Sequence, residues 1–551
     1  MGPAPRAQGT GIMERSGSLT DRRARSLHFT RRGLLKTGVL AGAAAALPIT
    51  WVVSADQVAL LPDSKLPRPF TTPFGKPAPA VPVRSDATTD YYRIEMTAVQ
   101  AEIIPGFKTL LYAYGGQVPG PTITATRGRP AVVRFVNNLP PKHPVLGYVS
   151  STSVHLHGSA SLPQYDGYAS DLTFPTFYKD YHYPNRQDGR TLWYHDHAHE
   201  HTAENVYSGL AGLYLLRDTL ESTLPIPQGD YDVPLVISDA LFRADGNLFF
   251  SLNDDNGQWG NVILVNGRPW PVMKVARRKY RFRVLAATIS RSFQFSLSSG
   301  RSFQVIGTDG GLMPAPQTVT AYRQVGGERY EIVIDFAEYR PGERVVLKNS
   351  LGGINETFAD TDKIMAFDVT DDAFDPSNNS VPAVLNPNSD AMTAQESQAV
   401  AHRSMELRRQ HGHWTMNGHT WHQIVATDYQ FVEWQPRDGT VETWTVKNSS
   451  GGWFHPFHTH LSDFRVLSRN GQPPRAWERG PKDVFYLGEN EEVKILLHFD
   501  GAGKYMMHCH NTIHEDHDMM TQYEVISDHQ AEFSPFDAPA KPQTSEPGDP
   551  L

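Results

Sequence analysis

The chain has 551 residues, room for roughly three to four domains at about 150 residues each. A net charge of −8 without any long basic block excludes a nucleic-acid partner. A single cysteine excludes an intramolecular disulfide, so packing or metal must hold the fold.

The first predicted element is an address. Residues 30–36 read "TRRGLLK", after Arg22, Arg23 and Arg25 and before an Ala/Gly-rich apolar run from Thr37 to Leu47. A basic region, paired arginines and a short apolar stretch describe a twin-arginine export signal, assigned to residues 1–55 with the cut between Ala44 and Ala55. The run is shorter than the about 20 residues that span a bilayer, so no stable membrane insertion is expected. The export machinery is then a partner, and the destination is the periplasm or the outside of the cell. That route carries folded protein, which suits a cofactor loaded beforehand.

The body has 44 Gly and 41 Pro and is rich in Val, Thr, Tyr and Phe, a mix that predicts an all-β chain of short strands and turns. Three stretches repeat one pattern: "YGGQVPGPTITATRGRPAVVRFVNN" from Tyr114, "VNGRPWPVMKVARRKYRFRVLAA" from Val265, and "MNGHTWHQIVATDYQFVEWQPRDGTVETWTVKNSS" from Met416. Each opens on a glycine turn and is expected to run into alternating strands, with Gly116, Gly267 and Gly418 at equal intervals. This gives three β domains at 85–225, 226–372 and 403–532, a linker at 373–402 and a disordered Pro-rich tail at 533–551.

Histidines cluster in the first and third domains only: "HLH" (His155, His157), "HDH" (His195, His197), "HPFHTH" (His455, His458, His460) and "HCHNTIHEDHDM" from His508. The second domain reads "TISRSFQFSL" at the matching place, so it is expected to act as a spacer. On an extended strand, residues i and i+2 share a side and i+1 faces away. His458 and His460 therefore share a side and His455 does not; His508 and His510 share a side and Cys509 does not. One thiolate, two imidazoles and a weak axial thioether make a blue-copper electron-transfer site. His455, Cys509, His514 and Met519 supply that set. The other eight histidines (155, 157, 195, 197, 458, 460, 508 and 510) suit a three-copper cluster that binds dioxygen. Zinc, with four closed ligands, would not use ten histidines and one sulfur. The backbone from Cys509 to His508 and His510 makes an electron path between the two sets. His199 and His201 are expected near the cluster without touching metal, and His422 and His517 are left as structural or surface residues.

In order and spacing these motifs resemble the multicopper oxidases, proteins of three consecutive cupredoxin-like Greek-key β-sandwich or barrel domains. The resemblance runs from about residue 90 to 530. Within the family it is strongest to the bilirubin oxidases and next to bacterial spore-coat-type laccases, carried by "KDYHYPNRQDGRTLWYHDHA", "TAENVYSGLAGLYLL", "VNGRPWPVMKVARRKYRFR", "GGWFHPFHTHLSDFRVLSR" and "HCHNTIHEDHDMM". It implies four copper ions. His455, Cys509, His514 and Met519 would hold the type 1 ion, and His155 and His458 the type 2 ion. His157, His195, His197, His460, His508 and His510 would hold the type 3 pair. Two departures stand out: the twin-arginine leader, which points to a bacterial source, and "HEHT" after "HDHA", where relatives usually place a methionine first.

The implied activity is one-electron oxidation of a small organic donor, coupled to four-electron reduction of dioxygen to water, and a monomer is expected. Asp166, in "YDG", and Glu515, after His514, are expected to relay protons as general acids. Asp196 points away from the cluster by parity. Electrons are expected to enter near an exposed edge of His455 or His514, with Trp453 as part of the donor surface. An axial thioether lowers the copper potential, which favours an easily oxidised donor: a bilirubin-like tetrapyrrole, a phenol or an aromatic amine. The rivals are a metallo-oxidase acting on Cu(I) or Fe(II), and a copper-free exported protein with a structural role. The 13 methionines form no Met-rich insert, which counts against Cu(I).

Overall fold

The computed structural model describes residues 58–251, 254–351, 355–529, 533–546, 549 and 551. The export signal at residues 1–55 lies outside the described residues.

Period-two alternation builds the sheets. In Asp90–Ala101, Tyr92, Ile94 and Met96 turn into the first core while Glu95 faces solvent. In Lys279–Ala286, Tyr280, Phe282 and Val284 enter the second core. The intervening Arg281 and Arg283 are also buried, because the opposite face packs on the first domain. There they meet Glu221, Asp232 and Glu331, with Arg217 completing three cations against three anions. Burial alone would raise the Asp232 pKa, but Arg283, Arg281 and Arg217 hold it well below the usual carboxylate range.

The strands pair into three two-sheet sandwiches, the cupredoxin-like architecture expected. In each sandwich an early strand runs parallel to the strand that follows the repeated turn: Asp90–Ala101 with Ala131–Asn137, Asp232–Ala240 with Lys279–Ala286, and Ala399–Gln410 with Val441–Asn448. The ligand-bearing sheets are four-stranded. One is Gly120–Thr126, Ala211–Arg217, Arg190–Asp196 and Val154–His157; the other is Val484–Leu487, His455–Thr459, Gly503–Cys509 and Met520–Val525.

Three expectations need correction, and one unassigned segment gains a place. The third repeat does not continue into a strand after Gly418 but turns into the helix Trp421–Ala426. Thr420 caps it by accepting from the Gln423 N–H, and Trp421 and Ile424, three apart, bury one face. The strand Ala399–Gln410 begins inside the segment read as linker. Residues 58–84, left outside the domains, strap the second sandwich: Leu61, Phe70 and Phe74 donate backbone bonds to Phe242, Trp270 and Val272. The tail read as disordered pairs Lys541–Pro542 with Phe177 and Tyr178, and Arg93 and Arg134 hold Glu546 and Asp549. Its carboxylates find the half-buried Arg93 and the buried Arg134, which composition does not reveal. Among the described residues no helix is long and apolar enough to cross a membrane.

Candidate metal centre

Two strand pairs aim the histidines. Val154–His157 runs antiparallel to Arg190–Asp196 with His155 opposite His195. His455–Thr459 runs antiparallel to Gly503–Cys509 with His458 opposite His508 and Phe457 opposite Cys509. Rings from the two domains interleave: His155 stacks on His460 at 3.9 Å between centroids, and His157 on His458 at 3.8 Å. All eight of these imidazoles are buried.

Their nitrogens fall into an order that tests the fit to a metal. His155, His195, His458 and His460 each direct Nδ1 to an oxygen: Asp166 O, Asp196 O, Asp483 O and Asp166 Oδ2 respectively. The Nε2 atoms of His155, His195 and His458 have no hydrogen-bond partner, and neither ring nitrogen of His510 has one. His197 Nε2 and His460 Nε2 each lie 3.2 Å from His508 Nε2. Burial lowers the pKa of His197 to about 4 and of His508 to about 3, so both rings are neutral near pH 7. Neutral imidazoles with their N–H committed outward present lone pairs inward, and convergent lone pairs in a dry interior call for a cation. Three close groups follow: His155, His458 and His460; His155, His157 and His195; His197, His460 and His508. The donor set fits copper ions bound through imidazole.

The second set is His455, Cys509 and His514. Cys509 Sγ lies 3.3 Å from His455 Nδ1 and 3.7 Å from His514 Nδ1, and the two Nδ1 atoms are 3.2 Å apart. The outer nitrogens are tied back, His455 Nε2 to Ser450 Oγ at 2.5 Å and His514 Nε2 to Asn256 O at 2.9 Å. Met519 is buried in the same apolar cluster as Cys509, and its carbonyl accepts from the Cys509 N–H. Burial pushes the Cys509 thiol well above its usual pKa, so a thiolate here needs a cation beside it. The N₂S set fits copper as well.

Three carboxyl groups touch the eight-histidine set: Asp483, whose Oδ1 lies 3.1 Å from His157 Nε2, and the pair Asp166 and Glu515. Asp166 Oδ2 accepts from His460 Nδ1 at 2.6 Å. Glu515 Oε2 lies 3.0 Å from His508 Nδ1 and its Oε1 3.5 Å from His197 Nδ1. Burial raises both pKa values, that of Asp166 strongly. Asp196 turns away, accepting from the Ser153 and Ala198 N–H groups and from Asn205 Nδ2.

Other residues fall as follows. His199 lies 5.3 Å from His422 between ring centroids, and His201 lies 4.9 Å from the Tyr148 ring, tilted against it. His422 pairs with Asp518 at 2.6 Å, and His517 Nδ1 bonds Ile513 O. The expected exposed imidazole edge is absent: His455 and His514 are both 0% exposed. Trp414 covers His514 with ring centroids 4.1 Å apart, and the half-buried Trp453 stands edge-on to His514 at 5.8 Å. The indole Nε1 of Trp414 donates to Asp255 O, pinning a second-domain loop over the site. Sequence reasoning missed Trp414, Ser450, Asn256, Asp483 and Arg329. Each stands alone in its local sequence, with no spacing to set it apart.

The multicopper oxidase family models match residues 95–221, 193–363 and 379–529. The chain is 40% identical to a bilirubin oxidase from Albifimbria verrucaria, covering 82% of this chain and 81% of that one. It is 34% identical to a laccase from Bacillus stratosphericus, covering 82% and 98%. A laccase structure from Pediococcus acidilactici superposes with a TM-score of 0.73 at 26% identity, covering 85% of this chain and 99% of that one.

Proposed function

The chain belongs to the multicopper oxidase family, and from that premise we propose that it couples one-electron oxidation of an organic donor to the reduction of dioxygen to water. The observation that carries this reading is the run His508–Cys509–His510. Three consecutive residues put a thiol in one donor set and two imidazoles in the other, so a single covalent path joins them. His455, Cys509 and His514, with Met519 beside them, would hold one type 1 copper. His155 and His458 would hold a type 2 ion. His157, His195, His197, His460, His508 and His510 would hold a type 3 pair. Bound there, copper supplies single-electron acceptance at the thiolate set and four-electron reduction of dioxygen at the histidine set.

The chain's own residues do the rest. The eight rings are buried and do not face bulk solvent. Protons must then come from carried groups, and burial shifts the carboxyls of Asp166 and Glu515 toward the protonated form that can give one. Donor electrons reach His514 across Trp414 and Trp453, which cover it.

The surroundings of Trp414 narrow the donor. A cavity of about 470 Å³ beside it is lined by Glu200, Glu204, Asp254, Asp255, Asp516 and Asp518. Asp255 pairs with Arg409, whose guanidinium lies 5.0 Å from the Trp414 ring, Asp518 pairs with His422, and burial raises Glu204 to about 7 and Asp516 well above its usual value, so the wall carries little net charge and favours neutral aromatic donors, phenols and aromatic amines. The carboxyl groups of the same wall support a second reading, Fe(II) as the donor. Copper-loaded protein should take up oxygen readily with phenols and aromatic amines, with a KM for these neutral donors that changes little as salt rises. Faster uptake with Fe(II) than with any organic donor would replace the first reading by the second; no uptake and no strong red absorption would defeat both.

Residues 1–55 support export of the folded chain by the twin-arginine route to the periplasm or beyond. Cell fractionation of an Arg31→Lys/Arg32→Lys variant should find the protein retained in the cytoplasm, and export at the wild-type level would defeat this assignment.

A further inference from the structure

One cluster histidine breaks the pattern of its neighbours. His155, His195, His458, His460 and His508 turn Nδ1 to an oxygen and leave Nε2 inward. His157 does the reverse. Its Nε2 lies 3.1 Å from Asp483 Oδ1, and its buried Nδ1 has no partner. With Nε2 carrying the proton toward the carboxylate, the lone pair sits on Nδ1. Asp483 thus decides which atom of His157 can bind metal, and its carbonyl also accepts from His458 Nδ1 at 2.8 Å.

Asp483 is itself held by the second domain. Arg329 grips it with two parallel bonds, Nη1 to Oδ1 at 2.6 Å and Nη2 to Oδ2 at 2.5 Å. The same guanidinium donates from Nε to Thr191 O of the first domain, and Nη2 also donates to Asp309 O. Arg329 and Asp483 are buried to 0% and 2% side-chain exposure. Two glycines make room for this arrangement. A Cβ on Gly158, directly after His157, would sit 2.5 Å from Arg329 Nη2 and 2.6 Å from Asp483 Oδ2. A Cβ on Gly327, two residues before Arg329, would come within 2.9 Å of the His510 ring. Both have positive φ, +85° and +86°.

We propose that the second domain, which supplies no metal ligand, fixes Nδ1 as the binding atom of His157 through the Arg329–Asp483 pair, and seats His510 against Gly327. Arg329 and Asp483 are positioning residues, and the domain is more than the spacer its sequence suggested. The inference rests on the copper reading of the eight-histidine set.

Its test uses the full chain and copper itself. Copper affinity is measured by competition with a chelator, and red thiolate absorption reports the Cys509 set as an internal control. Asp483→Ala should weaken copper binding at the histidine set by about 10–100-fold while the red absorption persists. Asp483→Asn keeps an oxygen that accepts the same bond and should recover most of the loss. Wild-type affinity in the alanine variant, or equal losses in both variants, would overturn the proposal. Should the alanine variant also lose the red absorption through misfolding, Arg329→Lys decides. It keeps the charge but loses the fork, and unchanged affinity there would likewise overturn the proposal. Wild-type protein that binds no copper would defeat the functional reading, whereas intact binding in the Asp483 variants would defeat only this inference.

Discussion

Cys509→Ser is expected to reduce donor oxidation to background while copper still binds the eight-histidine set. The thiol projects into an apolar cluster with Trp414, Phe457 and Met519, on the opposite side from His508 and His510. Serine is close in size, so the strand Gly503–Cys509 and its pairings should persist. What disappears is the sulfur that lies between His455 and His514 and that starts the covalent path to the histidine set. Two readouts separate the effects: red absorption should vanish, and copper at the histidine set should remain. Donor-driven oxygen uptake near the wild-type rate in this variant would refute the proposed electron path.

Glu515→Gln should slow oxygen reduction by about 10²–10⁴-fold, the range for loss of a general acid. The glutamine preserves shape and can still meet His508 Nδ1, but it carries no proton to give. The pH dependence has a definite sign. Burial raises the Glu515 pKa, so the carboxyl is protonated below that raised value and loses its proton as pH increases through it. Wild-type oxygen reduction should therefore fall on the alkaline side, and the variant should lose that limb. The red absorption should be reduced by donor as fast as in wild type, since Glu515 touches His197 and His508 and not the Cys509 set. Equal turnover in both proteins, or an unchanged alkaline limb, would remove Glu515 from the proton path. Asp166, in contact with His460 on the other flank, provides a second acid, so turnover is slowed rather than abolished.

The sequence by itself determined the parity of the candidate ligands carried on extended backbone. "HPFHTH" separates His455 from His458 and His460, and "HCH" separates Cys509 from its neighbours, because side chains alternate along any extended backbone whatever surrounds it. The structure sorts those residues into the same two sets. The repeat was legible for a similar reason: alternating patterns such as "KYRFRVLA" encode one buried face locally. Local pattern failed where a competing local signal won. The Thr420 cap and the Trp421/Ile424 spacing made a helix where the repeat suggested a strand.

Only the tertiary structure decided what meets across the domains. It placed His157 against His458, hid His514 beneath Trp414, and drew the acidic cavity up to that tryptophan. It ordered the C-terminal segment through Arg93 and Arg134. It also brought Arg329 to Asp483 and so to His157. These contacts join residues up to several hundred positions apart, each a single ordinary side chain in its own neighbourhood. Nothing in their spacing marks them, because the energy of a buried ion pair or a covering ring depends on which surfaces close together, and that is set by packing between domains and not by the periodicity of any one strand.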